Sequence, residues 1–89
     1  VDVNSVEPEA LVMEKLHATA RQRISHNLKR LRLAHGLSQE KAAELADFHR
    51  TYVSQVERCI TNISIDGLER LAHALDVDVI ELLKPVGDQ

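Results

Sequence analysis

Residues 37–56, LSQEKAAELADFHRTYVSQV, read as a short helix, a tight turn and a second short helix, and they limit this chain more than any other segment. Ser38 suits an N-cap, because its hydroxyl can accept an orphan N–H of the first helical turn. Glu40 then favours the positive end of the helix dipole. Ala42, Ala43, Leu45 and Ala46 predict an apolar stripe of mostly small residues, over which a second helix can cross closely. Asp47 stands where that first helix must stop, and Asp tolerates the left-handed conformation of such a turn. Phe48, the single Phe, is expected to plug the turn into the core.

The next helix carries Val53 and Val56 inward and Arg50, Thr51, Ser54 and Gln55 outward, with no acid among these four. A polar outer face alone means little, since any amphipathic helix has one. Behind a capped helix and a tight turn it becomes the face that enters the DNA major groove. The residue types suit that task. Arg can grip guanine with two hydrogen bonds, Gln can do the same with adenine, and Thr offers a hydroxyl and a methyl.

A length of 89 residues allows one domain and an extra arm. Aromatic residues are 2% of the chain, so Ala, Leu, Ile and Val must build the core. Gly and Pro are few and no long alternating apolar–polar run exists, which predicts an all-helical bundle. No apolar run approaches a membrane span and no signal peptide stands at the start. Val1 is not Met, so a processed or cropped start is expected. One cysteine excludes an internal disulfide and fits a reducing, cytoplasmic setting.

The net charge of −3 is unevenly spread. Residues 1–20 carry −3, residues 21–61 carry +4, and residues 62–89 carry −4. The motif therefore lies on the basic part, and a domain so divided can turn one face to phosphates and the other away.

Along the chain, residues 1–7 lack a period and read as a loose arm, and Pro8 suits a first helical position. From residue 9 to residue 35, Leu11, Val12, Leu16, Ala20, Ile24, Leu28 and Leu31 recur at helical spacing. This is one long helix, or two with a bend near Ala18-Thr19-Ala20, and Gly36 ends it. Residues 59–63 form a loop. Ser64 is expected to cap a fourth helix with Ile65, Leu68, Leu71, Ala72 and Leu75 inward. Asp78 can cap a short last helix, and Pro85 ends the helical run. The divisions are an N-terminal arm or helical extension (1–20), a DNA-binding domain (21–84) and a tail (85–89).

Residues 23–83 resemble the helix-turn-helix domain of the lambda repressor, Cro and restriction-controller regulators, the XRE family. The resemblance runs through Leu28-Lys29-Arg30-Leu31-Arg32, Gly36-Leu37-Ser38-Gln39-Glu40, Arg50-Thr51-Tyr52-Val53-Ser54-Gln55-Val56-Glu57-Arg58 and residues 68–75. Arg50-Thr51-Tyr52 followed by Glu57-Arg58 is especially similar to restriction-modification controller proteins. The resemblance implies a five-helix lambda-repressor-like domain, here with an extended N-terminal helix or arm. It implies a sequence-specific regulator binding double-stranded DNA as a homodimer on an inverted repeat, with half-sites about one helical turn apart. By the same resemblance Arg50, Thr51, Ser54 and Gln55 contact bases, and Gln39, His49, Tyr52, Arg58 and Asn62 contact the DNA backbone. Tyr52 could equally pack under its helix. Arg32 and Glu57 match an internal salt bridge. The chain departs from the family at Cys59, where Gly is frequent, at Ile63, where Pro is frequent, and at Asp47, where Gly or Asn is common.

Two candidate dimer surfaces follow. One is the last helix, with Val77, Val79, Ile80, Leu82 and Leu83. The other is the N-terminal helix, through Leu11, Val12 and Leu16. An antitoxin-type regulator that also holds a protein partner is an alternative, and a module that lost DNA binding is another. Arg50, Gln55 and Arg58 argue against the second. His17, His26 and His35 are nine apart, which sends neighbours in the series to opposite helix faces, so no metal site is expected. No Ser-His-Asp set or Gly-rich phosphate loop exists, so neither an enzyme nor a cofactor is expected.

Overall fold

The computed structural model describes residues 18–86. The expected arm, the Pro8 start, and Leu11, Val12 and Leu16 lie outside the described residues. Among the described residues five helices follow one another: α1 (Ala20–Ala34), α2 (Gln39–Ala46), α3 (Arg50–Glu57), α4 (Ile65–Ala74) and α5 (Ile80–Leu83). No strand occurs among the described residues, and none of their helices is long and apolar enough to cross a membrane.

Of the two readings of residues 9–35, the break is the one observed. Thr19 is extended at φ −64° and ψ 159° and caps α1. Its hydroxyl accepts from the Gln22 N–H at 3.1 Å, and the Gln22 side-chain oxygen accepts from the Thr19 N–H at 2.8 Å. This reciprocal pair satisfies two donors that the first turn cannot. Gly36, at φ +68°, ends α1 as expected.

Ser38 caps α2 by accepting from the Lys41 N–H at 2.9 Å. Ala42, Ala43 and Ala46 are buried, which lets α2 pack closely against both α3 and α4. Leu45 does not join them: it is 48% exposed, a correction to the expected stripe. Eight residues make only about two turns, so the buried face is too narrow for all four positions. Asp47 takes the left-handed conformation at φ 58°, and Phe48 packs half-buried against the core.

Ser64 caps α4 by accepting from the Gly67 N–H at 2.9 Å. Ile65 is 77% exposed, so its expected inward place is also corrected: the first residue of α4 lies on the outer side of the cap. Gly67 is what brings the turn onto α4. A Cβ there would sit 3.2 Å from Phe48 Cζ and 3.2 Å from Ile63 Cγ1. The Asp78 carboxylate accepts from the Ile80 N–H at 2.9 Å and starts α5.

Leu28, Leu71, Leu75, Leu82 and Val53 are fully buried at the centre. Each contributes about 1.5–3 kcal/mol by leaving water. Asn27 is buried among them. Its amide donates to the carbonyls of Leu82 at 3.1 Å and Lys84 at 3.0 Å, which ties the end of α5 to α1.

Candidate nucleic-acid interface

α3 owes its position to contacts at both ends and beneath it. Val53 and Val56 are buried under it. At its start, His49 is the N-cap, and its Nδ1 lies 3.4 Å from the Thr51 N–H. At its far end, Ser25 on α1 donates from its hydroxyl to the Glu57 carbonyl at 2.5 Å.

The strongest restraint is an ion pair shut off from solvent. Arg32 Nε donates to Glu57 Oε2 at 2.5 Å and Arg32 Nη2 to Glu57 Oε1 at 3.0 Å, with side chains only 9% and 4% accessible. Arg32 Nη1 also reaches the Leu37 carbonyl at 2.8 Å. The Glu57 hydrogen bond holds the Arg32 pKa above its ordinary value, against the opposing effect of burial. One guanidinium thus links α1, the start of the α2 loop and the end of α3.

Arg50 and Thr51 are exposed, while Ser54 and Gln55 are half-buried on the same helix. All four follow the face opposite Val53 and Val56, as expected. Arg50 and Arg58 form no salt bridge among the described residues, so both cations stay available to an anion.

The residues expected to touch DNA backbone fall into two groups. His49 and Arg58 stand exposed at the two ends of α3. Gln39, Tyr52 and Asn62 already have partners within the fold. Gln39 opens α2 and its amide donates to Glu57 Oε1 at 3.1 Å, so it shares the carboxylate with Arg32. Tyr52 lies beside the Phe48 ring, centroids 4.7 Å apart, and its hydroxyl donates to the Asn62 carbonyl at 3.0 Å. Desolvation raises the Tyr52 pKa, and the Arg70 charge opposes that rise. Asn62 accepts a hydrogen bond at its side-chain oxygen from Arg21. Cys59, where the family resemblance leads to the expectation of Gly, adopts the left-handed conformation that Gly favours, at φ 61°. The loop therefore keeps the Gly geometry without the Gly.

Sequence reasoning missed two cations. Arg21 reaches Asn62 across 41 positions. Arg70, on α4, holds the turn. Its Nε donates to the Ala46 carbonyl at 3.0 Å, its Nη2 donates to the Asp47 carbonyl, and its guanidinium lies 4.0 Å from the Phe48 ring centre. It also stands 3.9 Å from the Asp47 carboxylate, which offsets the negative charge at the turn. On α4 it resembles any solvated Arg, so no local pattern marks it.

A profile of the helix-turn-helix family matches residues 28–82. Control protein C.SmaI of Serratia marcescens is 39% identical over 64 residues, covering 72% of this chain and 76% of that protein. Control protein C.BamHI of Bacillus amyloliquefaciens is 47% identical over 47 residues, covering 53% of this chain. The alignment spans 58% of that protein's length, and the same share of a hypothetical transcription factor from Neisseria meningitidis. Among solved structures, the hypothetical transcription factor NHTF from Neisseria superimposes with a TM-score of 0.74 at 38% identity, over 76% of this chain and 78% of that one. The restriction-modification controller protein C.AhdI from Aeromonas hydrophila superimposes with a TM-score of 0.68 at 42% identity, over 70% and 94%.

Proposed function

Because this chain belongs to the XRE-type helix-turn-helix family of DNA-binding transcription regulators, with restriction-modification control proteins among its homologues, we propose that it binds an inverted-repeat operator as a homodimer. The observation that carries the reading is α3 itself: a capped helix, pinned by a buried ion pair, with Arg50, Thr51, Ser54 and Gln55 on its outer face. Arg50 would take a guanine edge, Gln55 an adenine edge, and Thr51 and Ser54 would fill in between. Gln39, His49, Tyr52, Arg58 and Asn62 would set the register through phosphates. For Tyr52 that contact requires its hydroxyl to leave the Asn62 carbonyl, because a phosphate oxygen only accepts and the phenol has one proton to donate. The residues at 21–84 would form the DNA-binding unit, 1–20 an extension and 85–89 a tail.

Dimerisation would double the base pairs read. Of the α5 candidates, Leu82 is fully buried and Val77, Val79 and Leu83 pack on the core, while Ile80 is 59% exposed. Ile80 therefore favours α5 as the surface that meets a second copy. A restriction-modification operon is a fitting setting, given the names of the relatives.

Selection from random duplex DNA at moderate salt, then titration on the enriched sequence, tests the reading. A palindromic motif bound by two chains supports it, and absence of enrichment sinks it. Arg50→Ala should lose about 1–3 kcal/mol at one base position and relax discrimination there. Equal losses on operator and random DNA would remove Arg50 from the base-reading set.

A further inference from the structure

The outer side of α1 bears an open groove that the reading above does not use. It holds about 450 Å³ and is lined by Gln22, His26, Lys29, Arg30 and Leu33 along α1, and by Cys59 beyond the end of α3. Its exposed wall is largely apolar, and Leu33 is 58% exposed. Among the described residues the one carboxylate of the lining, Glu57, is engaged by Arg32, so the charge these residues leave available in the groove is cationic. Arg30 Nε is buried and donates to nothing among the described residues. Arg30 Nη2 has only a long contact, 3.4 Å, to Asn27 Oδ1.

We propose that residues 1–17 of the same chain dock in this groove. They carry Asp2, Glu7, Glu9 and Glu14 against a single Lys15, with Leu11, Val12, Met13 and Leu16 interleaved. That pattern matches an apolar groove with cationic walls. A carboxylate from this segment supplies the acceptor that Arg30 Nε lacks.

The connection permits it. Thr19 is extended, so the chain leaves the α1 axis there, and Arg23 Nε holds the exit close by donating to the Ala18 carbonyl at 3.2 Å. The groove begins at Gln22, one turn into α1, and Leu33 lies about 16 Å further along the axis. Seventeen residues reach about 25 Å even as a helix, which covers the groove. Being tethered, the segment meets the groove at a high effective concentration.

Cys59 is the one cysteine of the chain and lines the groove, so its thiol reports occupancy in the full-length protein. The rate of labelling with N-ethylmaleimide is compared between the unaltered chain and a Glu7→Gln/Glu9→Gln/Glu14→Gln chain. Docking makes the unaltered chain slower by roughly tenfold at low salt, an ordinary degree of local protection. The gap narrows at ~1 M salt, where the screening length falls to a few ångströms. A Lys29→Gln/Arg30→Gln chain, altered on the other side of the same contact, gains the faster rate too. In a Met13→Cys chain, an added diazene oxidant such as diamide takes up the two electrons and two protons as the introduced thiol and the Cys59 thiol close a disulfide within one molecule, at a rate independent of protein concentration. Equal labelling rates in the unaltered and substituted chains at low salt overturn the proposal. So does a disulfide that forms only between molecules, which assigns the groove to a second copy.

Discussion

Replacing Glu57 by Gln removes the negative charge from a pair whose cation cannot escape to water. Arg32 is held by α1 and by the Leu37 carbonyl, with only 9% of its side chain accessible. Glu57 now accepts from Arg32 Nε, Arg32 Nη2 and Gln39 Nε2, all within 3.1 Å. After substitution one amide nitrogen faces the guanidinium as a second donor. Leaving a buried cation uncompensated costs about 3–5 kcal/mol. That is a large share of a total stability of about 5–15 kcal/mol. A loss of 3 kcal/mol lowers Tm by at least about 12 °C in a domain this small. Urea unfolding followed by far-ultraviolet circular dichroism reads the difference directly. The double replacement Arg32→Met/Glu57→Leu removes both charges, and it should return to within about 1 kcal/mol of the unaltered chain. A loss below about 1 kcal/mol for Glu57→Gln, the range of exposed pairs, would refute the reasoning. A double variant no better than the single would refute it equally.

Three further predictions rest on single sites. Asn27→Leu leaves the Leu82 and Lys84 carbonyls without their donor and should cost about 2 kcal/mol in the same urea titration. Cys59→Gly relieves a left-handed residue and should raise the urea midpoint by an amount worth up to about 1 kcal/mol. No gain would show that the loop strain is absent. Tyr52, the single Tyr, should titrate by ultraviolet absorbance above its ordinary value of about 10, and higher still in Arg70→Met. A raised folded-state pKa means that the fold favours the neutral phenol. That contribution is complete below the unfolded value and fades as pH rises through the folded one, so Tyr52→Phe should flatten the alkaline loss of stability.

What could be read from the sequence was local chemistry. Ser38, Ser64, Asp47 and Gly36 act within three or four residues of themselves, and each does what its type predicts. Arg32 and Glu57, 25 positions apart, came only from a family resemblance. Asn27, Ser25, Arg21 and Arg70 bond across 55, 32, 41 and 24 positions, where no period or cap leaves a mark. Leu45 and Ile65 were misplaced for a different reason. A short helix samples too few turns for its apolar face to be fixed by spacing alone, and the end of a helix often points an apolar side chain outward. In the candidate interface, the outer face of α3 was legible because its inner face is two valines. The internal bonds of Gln39, Tyr52 and Asn62 were not, because each depends on where another element lies.

The turn between α2 and α3 contains no glycine and is gripped from behind by Arg70, through two carbonyls and the Phe48 ring. None of the residues assigned to base contact takes part in that grip. Two separable controls follow for such a scaffold: the identity of the side chains that α3 carries, and the angle at which the turn delivers them. A substitution at position 70 acts on the second alone. It can re-aim an unchanged set of side chains, and so offers a route to a new binding preference that a comparison of recognition helices would never detect.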